Sequence, residues 1–219
     1  MARIARVMIP DIPYHVTQRG NYGMDVFESD EDKQMYLSFF DQYRKEYDLK
    51  VYAWVLMDNH VHFVVEPKDG ISVAKVFNNT HMRYSHYFNN KKGVQGHLWQ
   101  GRFYSCPLEK DHLYEAIRYV ELNPIRANLV SNLSDYQFCS SRRLLNDFPL
   151  RIDSVDKLLE IDDWEAYLKE EMKEDLVAQI RSNSKTGRPS GSKKFITKLE
   201  KITGRDLIAK KHGRPKKGK

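Results

Sequence analysis

Two histidines separated by one residue are the first candidates for chemistry in this 219-residue sequence. His60 and His62 open the run His-Val-His-Phe-Val-Val-Glu, which is rich in β-forming residues. Side chains two positions apart on a strand point to the same face, so the two imidazoles stand side by side and suit one divalent cation. An ordinary solvated or hydrogen-bonded pair is the alternative. The apolar residues around the pair favour the metal site, because an unsatisfied imidazole is costly there.

A tyrosine and an asparagine one helical turn apart form the second candidate. Tyr119 and Asn123 lie in Glu-Ala-Ile-Arg-Tyr-Val-Glu-Leu-Asn-Pro, and residues four apart share a helix face. A phenol with a free pKa of about 10 is a weak nucleophile at neutral pH, so a site must stabilise the attacking oxygen. A packed aromatic is the alternative for any one of the 13 tyrosines. Glu115, four residues before Tyr119, is a candidate for proton transfer, although an exposed helical glutamate is its simpler interpretation.

Three residues elsewhere are candidate contacts to single-stranded nucleic acid. Trp99 and Arg102 lie in Leu-Trp-Gln-Gly-Arg-Phe, where arginine suits a phosphate and an aromatic ring suits an unpaired base. A packed aromatic pair beside a surface arginine is an equally good alternative. Arg19 precedes Gly20-Asn21, a pair that a plain turn explains, and its place in the same groove is implied only by the family resemblance given below.

The net charge of +6 is concentrated at one end of the chain. Residues 184–219 hold 13 Lys and Arg against two acids, a local balance of +11, which leaves about −5 for the rest. Two Gly-Arg-Pro triplets, centred on Arg188 and Arg214, lie in this segment. A basic tail indicates a polyanionic partner, because phosphate contacts release counterions, and a solubilising tail is the alternative. We expect this segment to be loosely ordered without DNA and to bind it through Arg188 and Arg214.

The elements that must position these residues follow a recognisable order. Six of them match the ferredoxin-like βαββαβ arrangement of the α+β class, an antiparallel sheet with helices on one face. A further helix carries Tyr119 and stops before Pro124. The predicted elements are a strand at 14–19, a helix at 29–47, strands at 49–57 and 60–66, a helix at 72–88, a β-rich stretch at 97–108 and a helix at 110–122.

Composition predicts three segments and excludes several functional classes. The segments are a domain at 1–150 that holds the candidate histidines and tyrosine, an acidic helical segment at 151–183 and the basic extension at 184–219. No apolar run approaches the roughly 20 residues of a membrane span, so no membrane partner is expected. The two cysteines are far apart and form no metal-ligand spacing, which is typical of reduced cytosolic cysteines. No GxxxxGK[ST] phosphate loop is present, so no nucleotide cofactor is expected.

Three ordered motifs together resemble a known family. They are Met-Asp-Asn-His-Val-His-Phe-Val-Val at 57–65, Leu-Trp-Gln-Gly-Arg-Phe at 98–103 and Tyr-Val-Glu-Leu-Asn-Pro-Ile-Arg-Ala at 119–127. The set resembles the REP-associated tyrosine transposases, which are single-tyrosine members of the HUH nuclease superfamily. The resemblance covers roughly residues 14–145, and the basic extension also looks like one that some members carry.

The resemblance implies a role for each of four residues. His60 and His62 match the metal-ligand pair, Asn123 the third ligand and Tyr119 the nucleophile. It also implies a ferredoxin-like fold, Mg²⁺ or Mn²⁺, and a single-stranded DNA substrate with hairpins, cut through a 5′-phosphotyrosine. The expected protein is a bacterial cytoplasmic, nucleoid-associated monomer or homodimer. A non-catalytic nucleic-acid-binding or regulatory module on the same fold is the alternative function.

Overall fold

A four-stranded antiparallel sheet is the centre of the computed structural model, which describes residues 8–142, 150, 153, 164–170, 172 and 174–208. The spatial order of the strands is β2-β3-β1-β4. One helix connects β1 to β2 and another connects β3 to β4, so the predicted ferredoxin-like fold class is confirmed. The strands are β1 (Tyr14–Arg19), β2 (Leu49–Met57), β3 (His60–Pro67) and β4 (Tyr104–Pro107).

Helices cover both faces of this sheet. The two connecting helices pack together on one face, whereas the helix with Tyr119 packs against β2 and β3 on the other. The sequence predicted helices on one face for the βαββαβ unit and left the position of the further helix open. The helices are α1 (Asp30–Glu46), α2 (Ser72–Lys92), α3 (Lys110–Glu121), α4 (Asn123–Arg126), α5 (Trp164–Lys169), α6 (Glu174–Thr186) and α7 (Lys193–Thr203).

The alternation of side chains along β3 separates an apolar face from a face that carries the histidine pair. Val61, Phe63 and Val65 point into the large core shared with α1 and α2. His60 and His62 occupy the intervening positions and therefore face α3. Three buried aromatic rings pack at the centre of the first face, where Phe63 lies 4.3 Å from Phe40 and 5.3 Å from Phe77 between ring centroids.

Element boundaries differ from the predicted ones where local chemistry allows continuation. α2 continues four residues past Phe88 and ends at Gly93, whose φ of 64° suits glycine. Only residues 104–107 of the β-rich stretch form a strand, and Trp99 instead makes an isolated bridge to Gly20. The chain bends at Leu122 into α4, and Pro124 is tolerated in its first turn because no helical partner is needed there.

The C-terminal part packs against the sheet through α6. This helix contacts β4 and α3, burying Val177 and Ile180, and it crosses the predicted boundary between residues 183 and 184. α7 follows, with Leu199 and Leu207 buried in a small separate cluster. The structure does not test the predicted three-segment division. No helix in the described part of the chain is long and apolar enough to cross a membrane.

A buried carboxylate joins the start of α1 to the end of α2. The Asp32 side chain accepts hydrogen bonds from the Glu28 backbone N–H (3.0 Å), the Lys91 ammonium (2.7 Å) and the Tyr87 hydroxyl (3.1 Å). Its own N–H donates to the Ser29 hydroxyl, which caps the helix. Asp32 therefore fixes both the first turn of α1 and the packing of the two helices.

Asp32→Asn should lower the free energy of unfolding by about 2–3 kcal/mol, because buried hydrogen bonds are deprived of their charged acceptor. The matched control is Asp41→Asn, since Asp41 pairs with Arg44 and Lys45 on the surface of the same helix and is expected to change stability by less than about 1 kcal/mol. Urea unfolding of both variants measures the difference. Equal losses of unfolding free energy in the two variants would show that the buried contacts of Asp32 stabilise the fold no more than the ion pairs of Asp41.

Candidate active site

The antiparallel register of β1 and β3 forms the floor of a cleft. Arg19 lies opposite His60 and Thr17 opposite His62. The cleft has a volume of about 730 Å³ and opens on the face of the sheet that α3 and α6 cover. Tyr119 contributes to its wall. Three of the four residues predicted to perform chemistry are thus brought to one place.

His60 is held in one tautomer by its neighbour. Its Nδ1–H donates to the Asn59 side-chain oxygen at 2.6 Å, because that oxygen only accepts. The Asn59 amide nitrogen donates to the Gly23 carbonyl at 3.3 Å, which fixes the orientation of the amide. The proton of His60 is therefore on Nδ1, and Nε2 keeps its lone pair for a cation.

His62 is joined to a histidine that sequence reasoning missed. His62 Nδ1 lies 2.8 Å from His15 Nε2, and His15 Nδ1 lies 2.7 Å from the Ser184 hydroxyl on α6. His15 is 1% exposed and stands on β1, on the same face as Thr17. The sequence signal for His15 was the alternation of side chains along the first strand, which places it on the same face as Thr17. The strand register needed to pair it with His62 cannot be read from that alternation.

Burial keeps the three imidazoles neutral at physiological pH. It lowers the pKa of His15 to about 3 and, together with the charge of Arg19, the pKa of His60 to about 4. Burial also lowers the pKa of His62 well below its ordinary value, with further contributions from neighbouring positive charge. A neutral imidazole retains the lone pair that a metal ligand requires.

Tyr119 packs edge-on against both His62 and His15. Its ring centroid lies 5.6 Å from that of His62 and 5.7 Å from that of His15, with the planes nearly perpendicular. The Arg126 guanidinium lies 4.2 Å and the Arg181 guanidinium 5.5 Å from the same centroid. Positive charge is thus concentrated around the Tyr119 ring, and charge of this sign would favour a negative phenolic oxygen on attack.

Asn123 is turned toward the backbone of α3. Its side-chain nitrogen donates to the Tyr119 carbonyl at 3.2 Å, and the residue is 6% exposed. This contact satisfies a carbonyl left open where α3 ends. Asn123 does not contribute to the cleft lining. Its role as a third ligand therefore stays a prediction.

Glu115 is buried, so the simpler interpretation of an exposed helical glutamate is wrong. Its carboxylate lies 3.4 Å from the Arg118 guanidinium and 3.4 Å from the Tyr167 hydroxyl. The ring of Tyr167 stacks on Arg118, with the guanidinium carbon 4.4 Å from the ring centroid. These contacts fix α3 against α5, away from the cleft.

The predicted DNA contacts are in separate places. Arg19 is exposed and lines the cleft. Trp99 is 7% exposed and packs in the large core, with its indole N–H donating to the His81 carbonyl at 3.3 Å, while Arg102 is exposed outside the cleft. Arg188 donates to the Leu207 carbonyl at 3.1 Å. Arg214 lies outside the described residues.

Three further cleft residues come from one face of α6. Arg181, Ser184 and Lys185 are spaced at three and four residues, so they project together. Helical spacing and positive charge were visible in the sequence. The predicted boundary after residue 183 divided the group, because the switch from acidic to basic composition does not coincide with the end of the helix.

Two imidazole nitrogens make this cleft compatible with a divalent cation. The His60 and His62 ring centroids are 4.9 Å apart, and the Nδ1 atoms of both rings are already hydrogen-bonded. Within the described ranges no group of three or more His, Cys, Asp or Glu side chains gathers as ligands. Remaining positions would therefore fall to an amide, water or substrate oxygens.

Comparisons with known proteins agree with the motifs. A family model described as "Transposase IS200 like" matches residues 9–123, more than half of the chain. The structure of a REP-associated tyrosine transposase bound to a REP hairpin is 19% identical, with a TM-score of 0.53 over 74% of this chain and 96% of that one. A putative transposase from Deinococcus radiodurans R1 is 17% identical, with a TM-score of 0.38 over 58% and 92%. No curated protein matches.

Metal-free protein should lose stability as the pH falls from about 6.5 toward 4. The free energy of unfolding falls because the unfolded chain binds protons at His15 and His60 in this pH range and the folded chain does not. The expected loss between pH 7 and pH 5 is up to about 2 kcal/mol per histidine. Urea unfolding in EDTA measures it. The double variant His15→Gln/His60→Gln should lose less over the same interval, and an identical loss would contradict the burial of neutral imidazoles.

Proposed function

Because the chain belongs to the IS200-like transposase family, we propose that Tyr119 cuts and rejoins single-stranded DNA beside the histidine pair. The observation that carries the proposal is the edge-on contact of the Tyr119 and His62 rings within one cleft. It brings the one candidate nucleophile to the two candidate metal ligands, although the strand and the helix are separate in sequence.

The proposed reaction is a transesterification, in which one phosphoester bond forms as another breaks. The Tyr119 hydroxyl loses its proton as its oxygen bonds to a phosphorus atom, the P–O3′ bond breaks, and the departing oxygen takes up one proton to leave as a free 3′-OH, so that no net proton is gained or lost. The product is a 5′-phosphotyrosine, which retains the energy of the phosphodiester. Attack by another 3′-OH then reseals DNA and returns the phenol, so no nucleotide cofactor is consumed.

The proposed cofactor is Mg²⁺ or Mn²⁺ held by Nε2 of His60 and of His62, with Asn123 as the third protein ligand. When bound, such an ion polarises the scissile phosphate. The support is the donor set, since both imidazoles are neutral and both have Nδ1 hydrogen-bonded. For Asn123 to join, its side chain must give up or share the contact with the Tyr119 carbonyl.

Basic side chains around Tyr119 are proposed to hold the DNA phosphates. Arg19, Arg181 and Lys185 reach the cleft from two sides, from the end of β1 and from α6. Arg126 is held over the Tyr119 ring and also donates to the Tyr119 carbonyl at 3.3 Å. Positively charged groups arranged in advance stabilise charge on the pentacoordinate phosphorus without rearrangement.

A hairpin-bearing single strand is the proposed substrate. The similar structure with a TM-score of 0.53 is described as bound to a REP hairpin. Its 19% identity supports a common fold, and the substrate is carried to this chain as a proposal.

The test is formation of a covalent DNA adduct. Wild-type protein with a labelled hairpin-flanked single strand and Mn²⁺ should give an adduct that survives denaturing electrophoresis. Tyr119→Phe should give none, because the attacking oxygen is absent. Tyr114→Phe is the matched control on the same helix and should retain it. Adduct from Tyr119→Phe, or none from wild type, would refute the assignment.

Substitution of either histidine should impair DNA cleavage while leaving DNA binding largely intact. His60→Ala and His62→Ala are expected to reduce adduct formation by more than about 100-fold. DNA affinity measured by fluorescence polarisation should change little, because phosphate contacts provide most of it. A parallel drop in binding and cleavage would indicate that the histidines contact DNA directly.

The basic end of the chain should contribute to affinity through salt-dependent contacts. Because Ser184 lies in a packed helix, the truncation is placed after Ile208, which removes residues 209–219 with six Lys and Arg, Arg214 among them. The slope of log K against log salt for single-stranded DNA should shrink by about 0.7 for each phosphate that the shortened chain no longer neutralises. An unchanged slope would show that this segment does not touch DNA.

A further inference from the structure

A hydrogen-bonded chain leads from the cleft to α6, away from the proposed DNA path. It runs from His62 through His15 to Ser184, and its two links measure 2.8 and 2.7 Å. The planes of the two imidazoles are 9° apart, which suits an N–H···N bond in the plane of the rings. His15 and Ser184 are both buried, so water does not compete readily for these bonds.

The direction of the chain decides which nitrogen His62 presents. If Nδ1 of His62 donates to His15, then His15 carries its proton on Nδ1 and donates it to the Ser184 oxygen. Nε2 of His62 then has a free lone pair. In the opposite direction Ser184 donates to His15, His15 donates to His62, and Nε2 of His62 carries the proton and repels a cation.

His60 supplies the comparison that selects a direction. Its Nδ1 must donate to Asn59, so its Nε2 is the open atom. One cation can bind both rings through Nε2 only if His62 has the same tautomer. A ligand imidazole is usually oriented by a carboxylate, a backbone carbonyl or water. At His62 the partner is a second imidazole, His15, which itself needs an orienting group.

We propose that His15 is a positioning residue, oriented by Ser184, which holds His62 in the Nδ1–H tautomer and so prepares Nε2 for a divalent cation. The inference rests on the proposed function and deepens it. It assigns a role to α6, which lies outside the segment matched by the family model. The site is therefore completed by a helix more than 100 residues away from the histidine pair in sequence.

His15→Phe keeps a planar ring against His62 and Tyr119 but removes both nitrogens. The affinity for Mn²⁺ alone, measured by titration calorimetry, should fall about 10- to 100-fold, as is typical when a ligand histidine is deprived of its partner. Ser184→Ala should also lower the affinity for Mn²⁺, by a smaller factor. If His15→Phe does not fold, the Mn²⁺ affinity of Ser184→Ala is the test. His112→Phe is the matched control, because His112 also joins α3 to α6, through Gln179, without touching the pair.

The tautomer is measured directly, without metal or DNA, by long-range ¹H–¹⁵N correlation on protein labelled at histidine. Wild-type His62 should show a protonated Nδ1 and an unprotonated Nε2, and His15→Phe should change this pattern. A wild-type His62 protonated on Nε2, a folded His15→Phe with Mn²⁺ affinity within twofold of wild type, or wild-type protein that binds no Mn²⁺ would each overturn the proposal.

These results separate the inference from the proposed function. Wild-type protein that binds Mn²⁺ with the expected tautomer but forms no DNA adduct refutes the transesterification and supports the role of His15. Adduct formation by wild type, combined with unchanged Mn²⁺ affinity in His15→Phe, supports the transesterification and refutes the role of His15.

Discussion

The antiparallel pairing of β1 with β3 constrains everything else in the site. It places Thr17 opposite His62 and Arg19 opposite His60. Because side chains alternate, a slip of one residue would turn both imidazoles into the apolar core and Phe63 toward the cleft. The register is enforced by the aromatic packing of Phe63 with α1 and α2 on the opposite face. Core packing on one face therefore fixes the chemistry presented on the other.

A second layer brings Tyr119, the proposed nucleophile, to this face. α3 packs across β2 and β3, and its short connection to α4 places Arg126 over the Tyr119 ring. α6 lies against α3 and β4 and closes the cleft from the far side. The buried His62 and the half-buried His60 are tolerated because each finds a hydrogen-bond partner, at Asn59 for His60 and along the chain to Ser184 for His62. The same bonds that satisfy these rings set their tautomers.

Local patterns in the sequence predicted most of the fold. The strand Tyr14–Arg19 and the N-cap at Ser29 were predicted as observed, because alternation and capping depend on near neighbours. The histidine pair and Tyr119 were selected as candidates by spacing and by the ordered motifs, and the structure places them in one cleft. The resemblance drawn from those motifs is confirmed at the level of the IS200-like transposase family. Such features need no knowledge of distant contacts.

Long-range contacts were beyond the reach of that reasoning. His15 acquires a role only through strand register, and Ser184 only through the packing of α6 on the sheet. The burial of Glu115 depends on Arg118 and on Tyr167 in α5, so helical periodicity alone gave the wrong environment. The change from acidic to basic composition falls inside α6, because composition averages over residues and helix packing depends on individual side chains.

The covalent bond in the trapped adduct is the most direct measure of whether the β3 histidines and the α3 tyrosine form one active site. Protein reacted with a hairpin-flanked single strand and Mn²⁺ is digested with protease and nuclease, and the peptides are sequenced by mass spectrometry. We expect a residual 5′-nucleotide on Tyr119, within the α3 peptide, and on no other tyrosine. A nucleotide attached to a different residue would contradict a single site built from the two elements.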